Sequence, residues 1–240
     1  MATSDARKRA VQEIEADLQE VKYPSKLIHG AQRAFDLSMQ GVHDLTGSAV
    51  APLLVHVVMN STEPDVLVKC LAAMTGMAAW AEGRCDLRLS GCLRILQEYL
   101  SSSNPELRQH CYELLRNLSI EKSTRDFVKS TPIFRVLTEY VLLDAPEGNL
   151  TGLVLSALTN VTLTDEEALK SLCNTKGLTP KLLDIAKEGR LGESSKAALL
   201  LSHMWNCSEE VGQDLLEAGE NLRIQRTQSN DAQQRPSLSK

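Results

Sequence analysis

Aromatic residues are scarce here: two Trp, four Tyr and three Phe, or 4% of 240 positions. Sheets fill their pleated faces with such residues, so the scarcity argues for helices packed through Leu, Val and Ala. A dominant charge of one sign is also missing, with 26 Lys and Arg against 31 Asp and Glu and a net charge of -5. Without a basic field, no nucleic-acid partner is expected. Long apolar runs are absent as well. The longest, Val50–Met59, is interrupted by Pro52 and His56 and falls far short of a bilayer span, so no membrane insertion is expected. The N-terminal residues lack the apolar core of a signal peptide. The expected location is therefore cytoplasmic, with the nucleus also open to the protein.

The chemistry of catalysis is missing too. Six cysteines are scattered singly, with no Cys-x-x-Cys and no Cys/His pair at a metal-ligand spacing, and they are expected to be reduced. There is no Gly-x-Ser-x-Gly, no Gly-rich phosphate loop followed by Lys-Ser/Thr, and no His-Glu-x-x-His. The five histidines (His29, His43, His56, His110 and His203) fall on separate segments. No catalytic residue, metal or cofactor is expected, and the chain is not expected to be an enzyme. Five Asn-x-Ser/Thr sequons (Asn60, Asn117, Asn149, Asn160 and Asn206) are better explained by packing and capping than by glycosylation, because three recur at one repeat position.

What the sequence does contain is a period. Cys111–Ser119, Leu153–Thr162 and Leu199–Ser208 are helical apolar runs, each ending in Asn, an apolar residue and Ser or Thr. Asn117, Asn160 and Asn206 are 43 and 46 positions apart, and a weaker copy, Leu71–Ala81, places Ala79 at the Asn position. A second marker keeps the same phase. Ala51-Pro52, Thr131-Pro132 and Thr179-Pro180 each open an apolar-periodic run, and Cys92 opens the copy that lacks Pro. Proline suits a first helical turn, and a preceding Thr would cap it. Asn104 before Pro105 reads as a cap at another helix start. A short amphipathic piece follows each anchor (Arg84–Ser90, Ser123–Ser130, Asp165–Asn174 and Glu209–Ala218), so a unit reads as two longer helices and one short one.

This unit, Gly/Thr-x-Pro-x-Leu with a later Leu-x-x-Leu-x-Asn-Leu-Ser, resembles the armadillo repeat of β-catenin and importin-α. The resemblance covers about Val42 to Ala218. It implies an all-α fold, an α-solenoid of about four three-helix repeats. The expected boundaries are a helical N-terminal cap at 1–41, repeats at 42–83, 84–120, 121–164 and 165–208, a partial repeat at 209–220, and a disordered tail at 221–240. Within the cap, Ser4–Val21 (with Val11, Ile14, Leu18 and Val21 at helical spacing) and Lys26–Met39 are expected helices. Ser4–Val21 would serve equally to pair with a partner helix.

The resemblance also implies a function, a protein-interaction adaptor or scaffold that holds a partner along the concave face of its third helices. In peptide-binding members, Asn near each third-helix end bonds the main chain of an extended peptide. Asn117, Asn160 and Asn206 map onto that position, and His110, Glu113, Ser156 and Ser202 complete the candidate surface. The residues also leave open the reading that these Asn only end their helices and cap the next turn. Importin-type grooves carry Trp four residues before the Asn, where this chain has Glu113, Ser156 and Ser202, so stacking slots for basic side chains are missing. Asp165-Glu166-Glu167 reads as a favourable first helical turn. Ser229 and Ser237 are candidate phosphorylation sites in the tail. Leu215 and Leu216 in the unfinished last repeat suggest an end-to-end oligomer. The rival functions are a folding or assembly co-chaperone and a regulator of a small GTPase.

Overall fold

The structure, a computed structural model, describes residues 4–40, 45–143, 150–208, 211–214 and 216–217. Its helices are α1 Ser4–Gln19, α2 Pro24–Met39, α3 Val50–Asn60, α4 Pro64–Met77, α5 Ala81–Leu89, α6 Leu93–Tyr99, α7 Pro105–Leu118, α8 Lys122–Ser130, α9 Ile133–Leu142, α10 Leu150–Thr162, α11 Glu166–Cys173, α12 Leu178–Glu188 and α13 Leu191–Trp205. No strand occurs among the described residues.

Two helical rows run along the molecule. In the first, α2 packs on α4, α4 on α7, α7 on α10 and α10 on α13. In the second, α1 packs on α3, α3 on α6 and α9 on α12. The short helices α5, α8 and α11 join the end of one long helix to the start of the next unit. Units α5–α7, α8–α10 and α11–α13 are complete three-helix repeats, and α3–α4 are the second and third helices of the unit before them. The start of that unit, Val42–Asp44, lies outside the described residues, as do Asn149, Glu209, Leu215, Ala218 and the tail at 221–240 with Ser229 and Ser237. The N-terminal pair adds one helix to each row, α1 to the second and α2 to the first.

Leu, Val and Ala dominate one continuous core from Val11 to Val211. Each fully buried Leu or Val contributes about 1.5–3 kcal/mol, whereas an exposed ion pair contributes about 0–1 kcal/mol. Stacking of apolar faces therefore decides the fold. Burial is most complete on α10, which is held by α7, α8, α9, α11 and α13. Its apolar residues face every neighbour, and its buried Thr159 and Thr162 return their hydroxyls to Leu155 O and Leu158 O at 2.8 and 2.9 Å.

Local signals fix the helix ends, with some departures from the sequence expectation. Asn104 caps α7 as expected, its side chain accepting from the N–H groups of Glu106 and Leu107 at 2.9 and 3.2 Å. Asp165 caps α11 through Ala168 N at 2.8 Å. The two threonines expected to cap do not. Thr131 turns its hydroxyl back to Val128 O at the end of α8, and Thr179 lies buried inside α12. The α12 N-cap is Gly177 at φ 82, and Gly91 at φ 87 makes the matching turn between α5 and α6. Both occupy the left-handed region that a Cβ disfavours. Val21 is not on the core face either. The residue before Pro24, Tyr23, is extended (φ -120, ψ 90), α1 stops at Gln19, and Val21 sits exposed in the turn.

Candidate functional site

The first row of helices presents an i, i+3, i+7 stripe on each unit. It reads Ala72-Thr75-Ala79 along α4 and just past its end, His110-Glu113-Asn117 on α7, Leu153-Ser156-Asn160 on α10, and Leu199-Ser202-Asn206 on α13 and its C-cap. All the residues expected at the site within the described chain (His110, Glu113, Asn117, Ser156, Asn160, Ser202 and Asn206) therefore share one face of adjacent helices. On α10 the pattern is sharpest. Ser156 and Asn160 are the two residues of its thirteen that are not buried.

The Asn side chains do not all do the same thing. Asn117 donates its amide N–H to Thr75 O on α4 at 3.3 Å, and its Oδ1 accepts from the Arg116 guanidinium at 3.1 and 2.9 Å. Asn160 donates to Arg116 O at 3.2 Å and to the buried Ser119 hydroxyl at 3.0 Å, both one unit back. These two amides bridge neighbouring third helices, a role distinct from both readings of the sequence. Asn206 is the C-cap of α13 and returns its amide to Ser202 O at 3.3 Å on its own helix. Asn206 and Ser202 are exposed, whereas Asn117, Asn160, Ser156, Glu113 and His110 are half-buried.

Hydrogen-bond capacity on this face follows from those engagements. Asn160 Oδ1 accepts no hydrogen bond among the described residues. The hydroxyls of Ser156 and Ser202 donate within their helices, to Gly152 O at 2.8 Å and Leu199 O at 2.7 Å, which leaves their oxygens able to accept. His110 Nδ1 donates to Glu113 Oε2 at 3.1 Å and Gln109 to Oε1 at 3.1 Å. The hydrogen bond from His110 is the chief reason the Glu113 carboxyl sits below its usual range. The free polar atoms are therefore mostly acceptors, flanked by one carboxylate.

Sequence reasoning missed the groups that complete this network. Thr75 supplies the carbonyl for Asn117, and its hydroxyl donates to Leu71 O at 2.9 Å and to His110 O at 3.4 Å. Arg84 and Arg125, each the fourth residue of a short helix, reach the carbonyls that end the preceding third helix. Arg84 donates to Ala78 O and Ala79 O at 3.3 Å each and pairs with Glu121 at 3.0 Å. Arg125 donates to Ile120 O at 2.6 Å and Ser119 O at 3.4 Å. Their 41-residue spacing was a signal available in the sequence. The backbone acceptors left none, since every residue carries a carbonyl.

Among the described residues, no group of His, Cys, Asp or Glu could hold a metal ion, and no helix is long and apolar enough to cross a membrane. No family model matches the chain, and no curated protein matches it. Solved structures do. One, described as computationally designed armadillo repeat proteins for modular peptide recognition, matches with a TM-score of 0.72 at 16% identity, over 92% of both chains. A designed armadillo repeat protein in complex with the peptide (KR)4 matches at 0.63 and 16%, over 92% of this chain and 91% of that one. A structure from work on a phosphorylation switch between cadherin and β-catenin matches at 0.68 and 18%, over 81% of this chain and 37% of that one.

Proposed function

Because the chain folds as an armadillo-type solenoid, we propose that it is a protein-interaction scaffold that holds a partner polypeptide, in extended form, along the concave face made by α4, α7, α10 and α13. The observation that carries this reading is α10. A helix buried against five neighbours leaves only Ser156 and Asn160 uncovered, in line with Glu113 and Asn117 on one side and Ser202 and Asn206 on the other. A row of side-chain acceptors repeated from unit to unit suits the N–H groups of an extended backbone, and each such bond contributes about 1 kcal/mol. What the similar designed proteins bind supports the same reading. Neither the co-chaperone nor the GTPase-regulator reading draws support from the geometry. The proposed location is the cytoplasm, with access to the nucleus.

The test selects linear peptides from a displayed library on the wild-type chain, then measures them against Ser202→Arg and Asn206→Ala, with an Arg135→Glu variant on the second row as control. Ser202 and Asn206 are exposed, so neither change disturbs the core. The expected result is a loss of at least about tenfold for Ser202→Arg, the equivalent of roughly 1.4 kcal/mol, with Arg135→Glu unchanged. Peptides that bind all three variants alike would place the binding surface elsewhere.

A further inference from the structure

The six cysteines divide into three kinds. Cys70, Cys92 and Cys111 are buried, and burial pushes each thiol up to about 12, leaving a protonated core filler. Cys85 is exposed, with the Arg88 guanidinium 3.9 Å from its sulfur. Cys173 and Cys207 form a pair.

Cys173 ends α11, and Cys207 follows the C-cap of α13. One carbonyl draws them together, because Met204 O accepts the backbone N–H of Cys207 at 3.0 Å and the thiol of Cys173 at 3.8 Å. The Cys207 thiol is close enough to Cys173 to act on its thiol electrostatically. Both are half-buried, so reagents can reach them, and Cys173 lines a cleft of about 370 Å³ together with Lys176, Val211 and Asp214. Lys170 on α11 lies within electrostatic reach of Cys207.

We propose that Cys173 and Cys207 are a dithiol modification site, which a hydroperoxide closes to an intramolecular disulfide. In the first step the thiolate of Cys207 attacks one peroxide oxygen. An S–O bond forms and the O–O bond breaks. The departing oxygen takes a proton and leaves as water or an alcohol, with Cys207 left as a sulfenic acid. In the second step the Cys173 sulfur attacks that sulfur. The S–S bond forms and the S–OH bond breaks. The hydroxide combines with the Cys173 proton and leaves as water. Two thiols and one hydroperoxide thus give one disulfide and two molecules of water, or one of water and one of alcohol. The sulfurs lose two electrons and the peroxide gains them. Burial pushes the Cys173 thiol up, which fits it to the second, resolving role. The bond would tie the end of α11 to the end of α13, beside the buried Val211 where the chain leaves the last complete unit.

The test treats the reduced full-length chain with stoichiometric hydrogen peroxide, blocks remaining thiols with an alkylating agent, and maps the digest by mass spectrometry. The expected product is a Cys173–Cys207 cross-linked peptide that has lost two hydrogens, formed at a rate independent of protein concentration and reversed by a thiol reductant. In Cys173→Ser, Cys207 should accumulate a sulfenic acid that a dimedone-type probe captures, and in Cys207→Ser no cross-link should form. Cross-links between molecules, pairing of either thiol with Cys85, or oxidation of both sulfurs beyond the sulfenic stage without an S–S bond would each overturn the proposal. If a serine variant loses its helical circular dichroism, the wild-type map decides alone.

Discussion

Replacing Asn160 with Ala separates a bridging role from a surface one. The substitution removes the amide that donates to Arg116 O at 3.2 Å and to Ser119 Oγ at 3.0 Å. The buried acceptors are not fully orphaned, because the Ser119 hydroxyl still donates to Arg116 O at 2.9 Å. The loss therefore corresponds to one to two neutral hydrogen bonds, about 1–2 kcal/mol, without the larger penalty of a stranded buried group. In a stacked array that loss falls on a single interface, α7 against α10. Asn206→Ala makes the comparison sharp, since its amide is exposed and, among the described residues, bonds only its own helix, and it should cost less than about 0.5 kcal/mol. Urea unfolding followed by far-ultraviolet circular dichroism reads both. The Asn160→Ala midpoint should fall clearly below that of Asn206→Ala, and a double cycle with Ser119→Ala should show a coupling of about 0.5–1 kcal/mol. Equal midpoints for the two Asn variants would refute the bridge and return Asn160 to a purely exposed role.

Two further outcomes follow from the joints between units. Arg84→Met keeps the aliphatic stem but leaves Ala78 O and Ala79 O without their donor, and should cost about 2–3 kcal/mol. Glu121→Gln, which removes only the half-exposed end of the pair, should cost under about 1 kcal/mol. Equal losses in urea unfolding would show that the ion pair matters and the carbonyl capping does not. The second outcome concerns pH. The hydrogen bond from Lys129, followed by the one from Ala168 N, holds the Asp165 carboxyl below its usual range. Its contribution is fully present above the ordinary aspartate range and is lost as pH falls through the lowered folded value. Lys129 is shifted up, chiefly by Asp165, so its own share is complete below the ordinary lysine range and is lost as pH rises through the raised value. In Lys129→Met, the Asp165 titration followed by carboxyl NMR should move upward, and an unmoved titration would remove the pair from the account.

Much of this fold is legible in the spacing of a few residues. Asn117, Asn160 and Asn206 give the period, Pro52, Pro132 and Pro180 give its phase, and Asn104 caps the helix it was expected to cap. The stripe from His110 to Asn206 follows from helical geometry once the period is known. The partners of the Asn amides were not legible, because Thr75 O and Arg116 O are backbone atoms whose availability depends on how α4, α7 and α10 are stacked. The misplaced threonine caps have a local cause. Gly177 takes the left-handed turn two residues before Thr179, and Thr131 closes the helix behind it instead of opening the one ahead. Val21 has the right spacing for the α1 core face, but α1 ends at Gln19 and Val21 falls in the turn that leads to the extended Tyr23 before Pro24.

The bonds that close the ends of the third helices have a direction. Asn117 and Arg84 serve carbonyls of α4 and its end, and Asn160 and Arg125 serve those of α7 and its end, so every one of these donors lies later in the chain than its acceptor. During synthesis on the ribosome, a newly emerged third helix lacks the donors that the following unit brings to its end. The end of each of these units is completed by side chains of its successor.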